Sequence, residues 1–123
     1  SSDTMAMRVW EIIHELMPQG GAAVLSPYKL ENSCMARSPQ GYGLVLTQEL
    51  SKLGEPGYVY FSTIRSFKGL EAGLVVLVQA EQPGALANLS LEDLYVACTR
   101  PRSRLAIITG NESSCRWFKN QLQ

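Results

Sequence analysis

The sequence predicts an α/β fold in which helices cover both faces of a mainly parallel sheet. Short apolar runs alternate along the chain with amphipathic segments, which is typical of β-α-β units. Two runs, residues 74–78 and 105–109, are apolar apart from the final Thr109, as expected for strands buried on both faces. The length of 123 residues, with 46% apolar and 18% charged, fits one globular domain and excludes a disordered chain. We therefore expect residues 1–123 to form one domain with four to six strands.

The first half of the chain alternates between helix and strand signals. Residues 5–17 place Val9, Ile12 and Ile13 on one helical face and charged residues on the other, which predicts an amphipathic helix. Residues 22–26 are a short apolar run and predict a buried strand. Pro18, Gly20 and Gly21 separate the two elements. The following predictions are a helix over about residues 30–36, a loop over 37–43, a strand over 43–47 and one or two helical turns up to Leu53.

Three strands dominate the second half of the sequence. Residues 58–62 are aromatic and β-branched, which favours a strand, and the two apolar runs follow them. We expect residues 58–62, 74–78 and 105–109 to lie in the centre of the sheet, with Val24 and Leu25 in an adjacent strand.

Two capping patterns mark the helices of the second half. Ser90 with Asp93 predicts the start of a helix that Pro101 closes. Thr109 with Glu112 has the same spacing and predicts the start of the last helix. The apolar face of that helix comprises Cys115, Phe118 and Leu122.

Composition excludes several classes of function. Eleven basic and eleven acidic residues give a net charge of zero, so the chain is unlike proteins that coat nucleic acid by charge alone. Three scattered cysteines and one histidine argue against a disulfide framework and a zinc site, so we expect no metal site and reduced cysteines. No apolar run reaches the ~18 residues that span a bilayer, and no export signal precedes the first helix. We expect a cytoplasmic protein without a membrane partner.

The chain also lacks the parts of a self-contained phosphate-transfer site. No G-x-x-x-x-G-K-[ST] pattern is present, so there is no P-loop to cradle phosphates. Neither Asp3 nor Asp93 follows an apolar strand, so no strand-end carboxylate is placed to hold magnesium.

Residues 62–71 form an unusually polar connection between two predicted strands. Hydroxyls, two cations, a glycine and a carboxylate fall within ten residues, and these groups suit a polyanion: hydroxyls and guanidinium for phosphate, carboxylate for sugar hydroxyls. The alternative is a solvated loop in which Arg65 and Lys68 merely face water.

Residues 94–105 form the second candidate. A largely apolar helix ends in Thr99-Arg100, and two further arginines precede the next strand. One interpretation is that the helix delivers Arg100 to an anion at a cleft. The other is that cations simply favour the negative end of a helix dipole. We expect Arg102 and Arg104 to be ordinary surface cations.

Together these segments resemble a known family. Residues 63–71 with the strand at 75–77 resemble motif V of superfamily 1 helicases of the UvrD/Rep type. Residues 94–100 with 104–108 resemble motif VI, and residues 23–29 stand where motif IV is expected. The resemblance spans about residues 20–109 and implies the second RecA-like domain of these motors, a three-layer fold carrying motifs IV–VI.

The resemblance implies roles for individual residues. Arg100 matches the motif VI arginine that reaches the γ-phosphate as a trans-acting catalytic group. The residues implied in ATP binding are Gly69, Glu71, Tyr28 and Lys29. The residues implied in DNA binding are Thr63, Arg65, Ser66 and Lys68. We further expect the polar connection and Arg100 to lie on one edge of the sheet.

The missing P-loop domain limits what this chain is expected to do alone. The resemblance implies a motor that hydrolyses ATP with Mg²⁺ between two RecA-like domains, and only the second is present. We expect no ATP or Mg²⁺ to be bound by this chain alone, and no turnover by it. The implied partners are single-stranded DNA and the P-loop-containing first domain, with the chain itself a monomer.

The sequence begins without Met, so we expect a fragment or a stand-alone C-terminal domain that lacks any inserted accessory domain. The alternative function is a non-catalytic RecA-like binding module for nucleic acid or a protein partner.

Overall fold

A computed structural model describes residues 2–17, 20–83 and 88–121. The predicted roles of Pro18 and Leu122 therefore lie outside the described residues. The helices are α1 (Ser2–Leu16), α2 (Leu91–Thr99) and α3 (Glu112–Gln121). The strands are β1 (Ala22–Ser26), β2 (Gln40–Gly41), β3 (Leu44–Thr47), β4 (Tyr58–Thr63), β5 (Ala72–Ala80) and β6 (Pro101–Thr109). Single 3₁₀ turns occupy Leu30–Asn32, Leu50–Lys52 and Arg65–Phe67.

The strands form one sheet in the order β2-β3-β4-β1-β5-β6. All neighbouring pairs are parallel except the β2–β3 hairpin, which confirms the predicted mainly parallel sheet. Val24 and Leu25 lie in β1, between β4 and β5, in the middle of the sheet.

The prediction that residues 105–109 are central is wrong. They belong to β6, which pairs only with β5 and has no fully buried residue among its nine. An apolar run indicates only that the two faces of a strand are covered. The place of the strand in the sheet order depends on pairing with distant segments, so the run could not predict it. The adjacent strand β5 matches the prediction for 74–78, with hydrogen-bonded partners on both sides.

The sheet is the middle of three layers, because alternate residues of each strand face opposite sides. One face packs against α1, and its core includes Val9, Ile13, Val24, Phe61 and Val76. The other face packs against the β4–β5 connection, α2 and α3, and its core includes Leu25, Phe67, Leu77, Ala97 and Phe118. This arrangement confirms a three-layer α/β fold of the RecA-like kind.

Local hydrogen bonds explain two departures in the first half. The predicted helix over 30–36 is only the 3₁₀ turn, because the Ser33 hydroxyl donates to Leu30 O (2.8 Å) and accepts from Met35 N–H (3.1 Å). These bonds compete with helix continuation. The predicted loop over 37–43 contains β2, which joins β3 through Tyr42 (φ 51°) and Gly43 (φ 79°). Two successive positive φ values match the turn that best suits a two-residue hairpin.

The two capping predictions have different outcomes. The Ser90 side chain accepts from Asp93 N–H (3.0 Å) and starts α2, and the helix ends before Pro101, as predicted. At α3, however, Asn111 Oδ1 accepts from Ser114 N–H (2.7 Å), so the cap is Asn111 and the predicted Thr109–Glu112 pattern is wrong. Thr109 is instead the last residue of β6.

Candidate functional site

The connection between β4 and β5 runs the length of the sheet. Thr63 pairs with Ser26 at the carboxyl edge, whereas Ala72 lies two residues before Leu74, the partner of Ala22. Measured along the strand direction, Thr63 and Ala72 are therefore about six residues apart, or roughly 20 Å at ~3.3 Å per residue. We call residues 64–71 the crossover.

The prediction that the crossover and Arg100 share one edge is wrong. The crossover begins at the carboxyl edge and ends at the amino edge, where Ala72 N–H donates to Arg100 O (3.3 Å). The reason is topological: β4 and β5 are parallel, so the chain must return along the face before the second strand begins.

Apolar side chains fix the crossover to the sheet. Ile64 and Phe67 are buried, and the Phe67 ring lies 6.0 Å from the Tyr60 ring, while Arg65 and Lys68 between them are exposed. Spacing of three residues places Ile64, Phe67 and Leu70 inward and the polar residues outward. The crossover is therefore a packed segment with a polar outer face, and Arg65 and Lys68 lie on that exposed face.

The start of the crossover, at the carboxyl edge of the sheet, borders a polar cleft of about 360 Å³. Its lining includes Lys29, Thr63, Arg65, Asn88 and Asp93. Lys29 and Thr63 also line an adjoining cleft of about 370 Å³ together with Ser66. We call this pair of clefts the carboxyl-edge site. Of the residues predicted to bind DNA, it contains Thr63, Arg65 and Ser66.

Hydroxyls and one ion pair organise the carboxyl-edge site. The Thr63 hydroxyl donates to Ser66 Oγ (2.9 Å) and accepts from Ser66 N–H (3.3 Å). Arg65 Nε lies 3.6 Å from Asp93 Oδ1, with the Arg65 side chain 85% exposed and that of Asp93 15% exposed. Because its side chain is mostly exposed, Arg65 remains accessible to another anion. Sequence analysis found Asp93 only as a helix-start residue, because its contact with Arg65 depends on packing between distant segments.

The other end of the crossover borders a larger cleft of about 640 Å³, the amino-edge site. Its lining includes Lys68, Gly69, Leu91, Tyr95 and Arg100. Gly69 has φ +88°, a conformation that favours glycine, and no atom lies within 4 Å of where its Cβ would be. Lys68, which was predicted to bind DNA, lines this cleft together with Gly69 and Arg100. It does not line the carboxyl-edge site.

Arg100 projects from the C-terminal end of α2, held only by neutral acceptors. Its Nε and Nη2 donate to Thr99 Oγ1 (3.3 and 3.2 Å), and its Nη1 lies 3.5 Å from Leu70 O. The Thr99 hydroxyl is itself held by the carbonyl oxygens of Tyr95 (3.0 Å) and Val96 (3.1 Å). Within the described part of the chain, Arg100 forms no ion pair.

This geometry bears on the helix-dipole interpretation of Arg100. None of the guanidinium's acceptors is a terminal carbonyl of α2, so the guanidinium lies at the negative end of the helix without a hydrogen bond to that end. The guanidinium is pre-positioned, and its charge is not neutralised by a carboxylate. Such a group suits a planar, bidentate contact with phosphate oxygens.

Glu71 and Arg102 meet at the amino edge. Arg102 Nη1 lies 4.0 Å from Glu71 Oε1, and its Nη2 donates to Gly20 O (3.2 Å). Arg102 is thus an exposed cation whose contact with Glu71 joins two half-exposed side chains, and such pairs contribute little to stability. Arg104 is exposed and forms no ion pair with any described residue, as predicted for a surface cation.

Tyr28 and Lys29 lie at the carboxyl edge, beyond the end of β1. The Tyr28 hydroxyl accepts from Asn88 Nδ2 (2.9 Å), and Lys29 lines both carboxyl-edge clefts. The sequence-based grouping of these two residues with Gly69 and Glu71 is thus not what the structure shows. They lie with the residues predicted to bind DNA.

The helix that carries Arg100 also carries Cys98. Burial raises the pKa of the Cys98 thiol, so the thiol stays protonated near neutral pH and is a poor nucleophile.

The described residues contain no group of three His, Cys, Asp or Glu that could hold a metal ion. Across the same residues, no helix is both long and apolar enough to cross a bilayer.

A family comparison covers the segment that forms both sites. Residues 58–108 match the family model of the UvrD-like helicase C-terminal domain. This part of the chain is therefore similar to UvrD-like helicase C-terminal domains. The matched segment runs from the start of β4 nearly to the end of β6, so it includes the crossover, α2 and Arg100. No curated protein matches the chain.

Proposed function

We propose that the chain is the second motor domain of an ATP-dependent DNA helicase. The amino-edge site acts on a nucleotide held mainly by a P-loop domain, and the carboxyl-edge site binds the backbone of single-stranded DNA. The observation that carries the proposal is Arg100: its guanidinium is pre-positioned at a cleft by neutral acceptors, without a carboxylate partner.

At the amino-edge site, Arg100 contacts the γ-phosphate in the transition state. A guanidinium remains charged and offers two parallel N–H groups to phosphate oxygens. Exchanging Thr99 Oγ1 and Leu70 O for an anion replaces neutral hydrogen bonds with stronger charge-assisted ones. Gly69 admits the nucleotide close to the backbone, and Glu71, oriented by Arg102, accepts from ribose hydroxyls.

Mg²⁺ belongs to the complete enzyme in this proposal. It would neutralise charge on the β- and γ-phosphates. The P-loop domain supplies the carboxylates and the phosphate cradle, and this chain supplies only cations and a ribose acceptor. The isolated chain is therefore expected to be an inactive monomer.

At the carboxyl-edge site, Lys29 and Arg65 neutralise DNA phosphates while Thr63 and Ser66 donate hydrogen bonds. Phosphate contacts of this type position a strand without reading its sequence. The site offers few cations, so affinity for DNA is expected to be modest and to fall with salt. Lys29 lines both clefts of this site, which supports including it here, whereas the family resemblance implied a nucleotide role for it.

The test is steady-state ATPase kinetics on the complete motor with saturating single-stranded DNA. Arg100→Ala should reduce turnover about 10³-fold or more, as for other trans-acting arginines, while ATP binding falls much less. Arg100→Lys should restore little, because a point charge cannot reproduce the planar fork.

Arg104→Ala is the matched control, since Arg104 has the same charge and no ion-pair partner among the described residues. It should change turnover only slightly. Equal losses for Arg100→Ala and Arg104→Ala would indicate a diffuse electrostatic effect. Full turnover in Arg100→Ala would reject the motor assignment and leave a non-catalytic binding module.

A further inference from the structure

The amino-edge site contains an exposed apolar surface that the proposed phosphate and ribose contacts do not use. Leu91 is 69% exposed and Tyr95 is 71% exposed, and both line the cleft that contains Arg100. The two residues are four positions apart on α2 and so share one face of the helix. A cleft that combines apolar side chains with a few polar or charged groups is the usual form of a small-molecule site.

The other groups in the cleft define which ligand would suit this surface. Lys68 and Arg100 provide two cations against the one carboxylate of Glu92, and Gly69 leaves its backbone open to close approach. The volume of about 640 Å³ lies within the ~300–1,000 Å³ range of small-molecule sites. An aromatic ring beside two cations fits a flat, apolar ring attached to an anionic tail, which is the chemistry of a nucleotide.

Spacing along α2 allows both ends of such a ligand to be bound. Tyr95 and Arg100 are five residues apart, or about 7.5 Å along a helix axis. One helix therefore presents a ring and a guanidinium at separate points of the same cleft. Tyr28 is unsuitable as the ring platform, because it lies at the opposite edge of the sheet with its hydroxyl bonded to Asn88.

We propose that Tyr95 is the stacking platform for the base of the nucleotide, with Lys68 contacting its phosphates. This inference rests on the proposed function of the amino-edge site and adds two positioning residues to it. Tyr95 binds the base through its ring face, so its contribution is to ground-state affinity, whereas Arg100 acts on the transition state.

The experiment compares two inhibitors of the ATPase of the complete motor: ADP, which carries a base, and inorganic tripolyphosphate, which does not. Tyr95→Ala should raise the KM for ATP and the inhibition constant of ADP about tenfold, as expected for loss of one base–aromatic stack. Its kcat and the inhibition constant of tripolyphosphate should stay within about twofold. Tyr95→Phe keeps the ring and should behave like the unmodified motor.

Tyr42→Ala is the matched control, because Tyr42 is also an exposed tyrosine (57%) but lies on the β2–β3 turn. It should change neither inhibition constant. Lys68→Ala should weaken both inhibitors alike, since it removes a phosphate contact, and unchanged constants would remove Lys68 from the proposal.

Two outcomes would overturn the role of Tyr95. An unchanged inhibition constant for ADP would show that the ring does not meet the base. Equal weakening of ADP and tripolyphosphate would show that Tyr95 supports the geometry of the site as a whole. Failure of the motor assignment is distinguishable, because it appears as full turnover in Arg100→Ala whatever Tyr95→Ala does.

Discussion

Replacing Phe67 with alanine should detach the crossover from the sheet. Phe67 is fully buried in the middle of the crossover and packs against the Tyr60 ring, at 6.0 Å and a 38° tilt. It lies between Arg65, which lines the carboxyl-edge site, and Gly69, which lines the amino-edge site. The substitution therefore tests the element that connects both sites.

The expected loss follows from the burial of this ring. A fully buried Phe→Ala change costs about 3–5 kcal/mol, which includes the transfer of the ring and the cavity left behind. The contact with Tyr60 accounts for about 0.5–1.5 kcal/mol of that loss. Because domains of this size are stable by only about 5–15 kcal/mol, the variant should lose a large share of its free energy of unfolding.

Urea unfolding followed by circular dichroism on the 123-residue chain measures this loss. With a slope of about 1–3 kcal/mol per molar urea, the midpoint should fall by about 2 M. Tyr95→Ala removes an aromatic ring of similar size from an exposed position and should change stability by less than about 0.5 kcal/mol. A loss below about 1 kcal/mol for Phe67→Ala would refute the packing of the crossover on the sheet.

Two further predictions concern a buried thiol and the DNA contacts. Burial raises the pKa of Cys34 from 9.0 to about 11. The unfolded chain therefore loses its thiol proton first, and this group lowers stability only as pH rises from 9 toward 11. Cys34→Ala should flatten that part of a plot of unfolding free energy against pH, and an unchanged slope would contradict the assignment. Lys29→Ala should reduce the slope of log affinity for single-stranded DNA against log salt by about 1, measured by fluorescence anisotropy, while Arg104→Ala should leave it unchanged. Equal slopes for Lys29→Ala and the unmodified protein would remove Lys29 from the DNA site.

Features set by local sequence were predictable. The apolar run at 74–78 predicted the interior strand β5, since burial on both faces requires a continuous apolar segment. Ser90 predicted the start of α2, because a cap depends on a side chain and a backbone group three residues away. The polar composition of the crossover and the arginine after α2 indicated where to look for function.

Features set by long-range pairing were not predictable in this way. The edge position of β6 depends on which strands pair with β5, and no pattern within β6 reports it. The Arg65–Asp93 and Glu71–Arg102 contacts join residues about 30 positions apart, so they exist only once the crossover has packed. The grouping of Lys29 with Thr63, and of Lys68 with Arg100, likewise follows from sheet register and crossover direction.

Because the two sites are separated, the motor proposal requires a structural connection between them. They lie at opposite ends of the sheet, and two elements span the distance: the crossover, from Arg65 to Gly69, and α2, from Asp93 to the residue before Arg100. At the carboxyl edge these elements meet in the Arg65–Asp93 pair, in which the Arg65 side chain is mostly exposed and that of Asp93 mostly buried. Under the motor proposal, a DNA phosphate that takes Arg65 from Asp93 would change a contact between the same two elements that shape the nucleotide cleft. Because packed elements shift as units and not by continuous deformation, we propose this contact as a route by which DNA binding alters the position of Arg100.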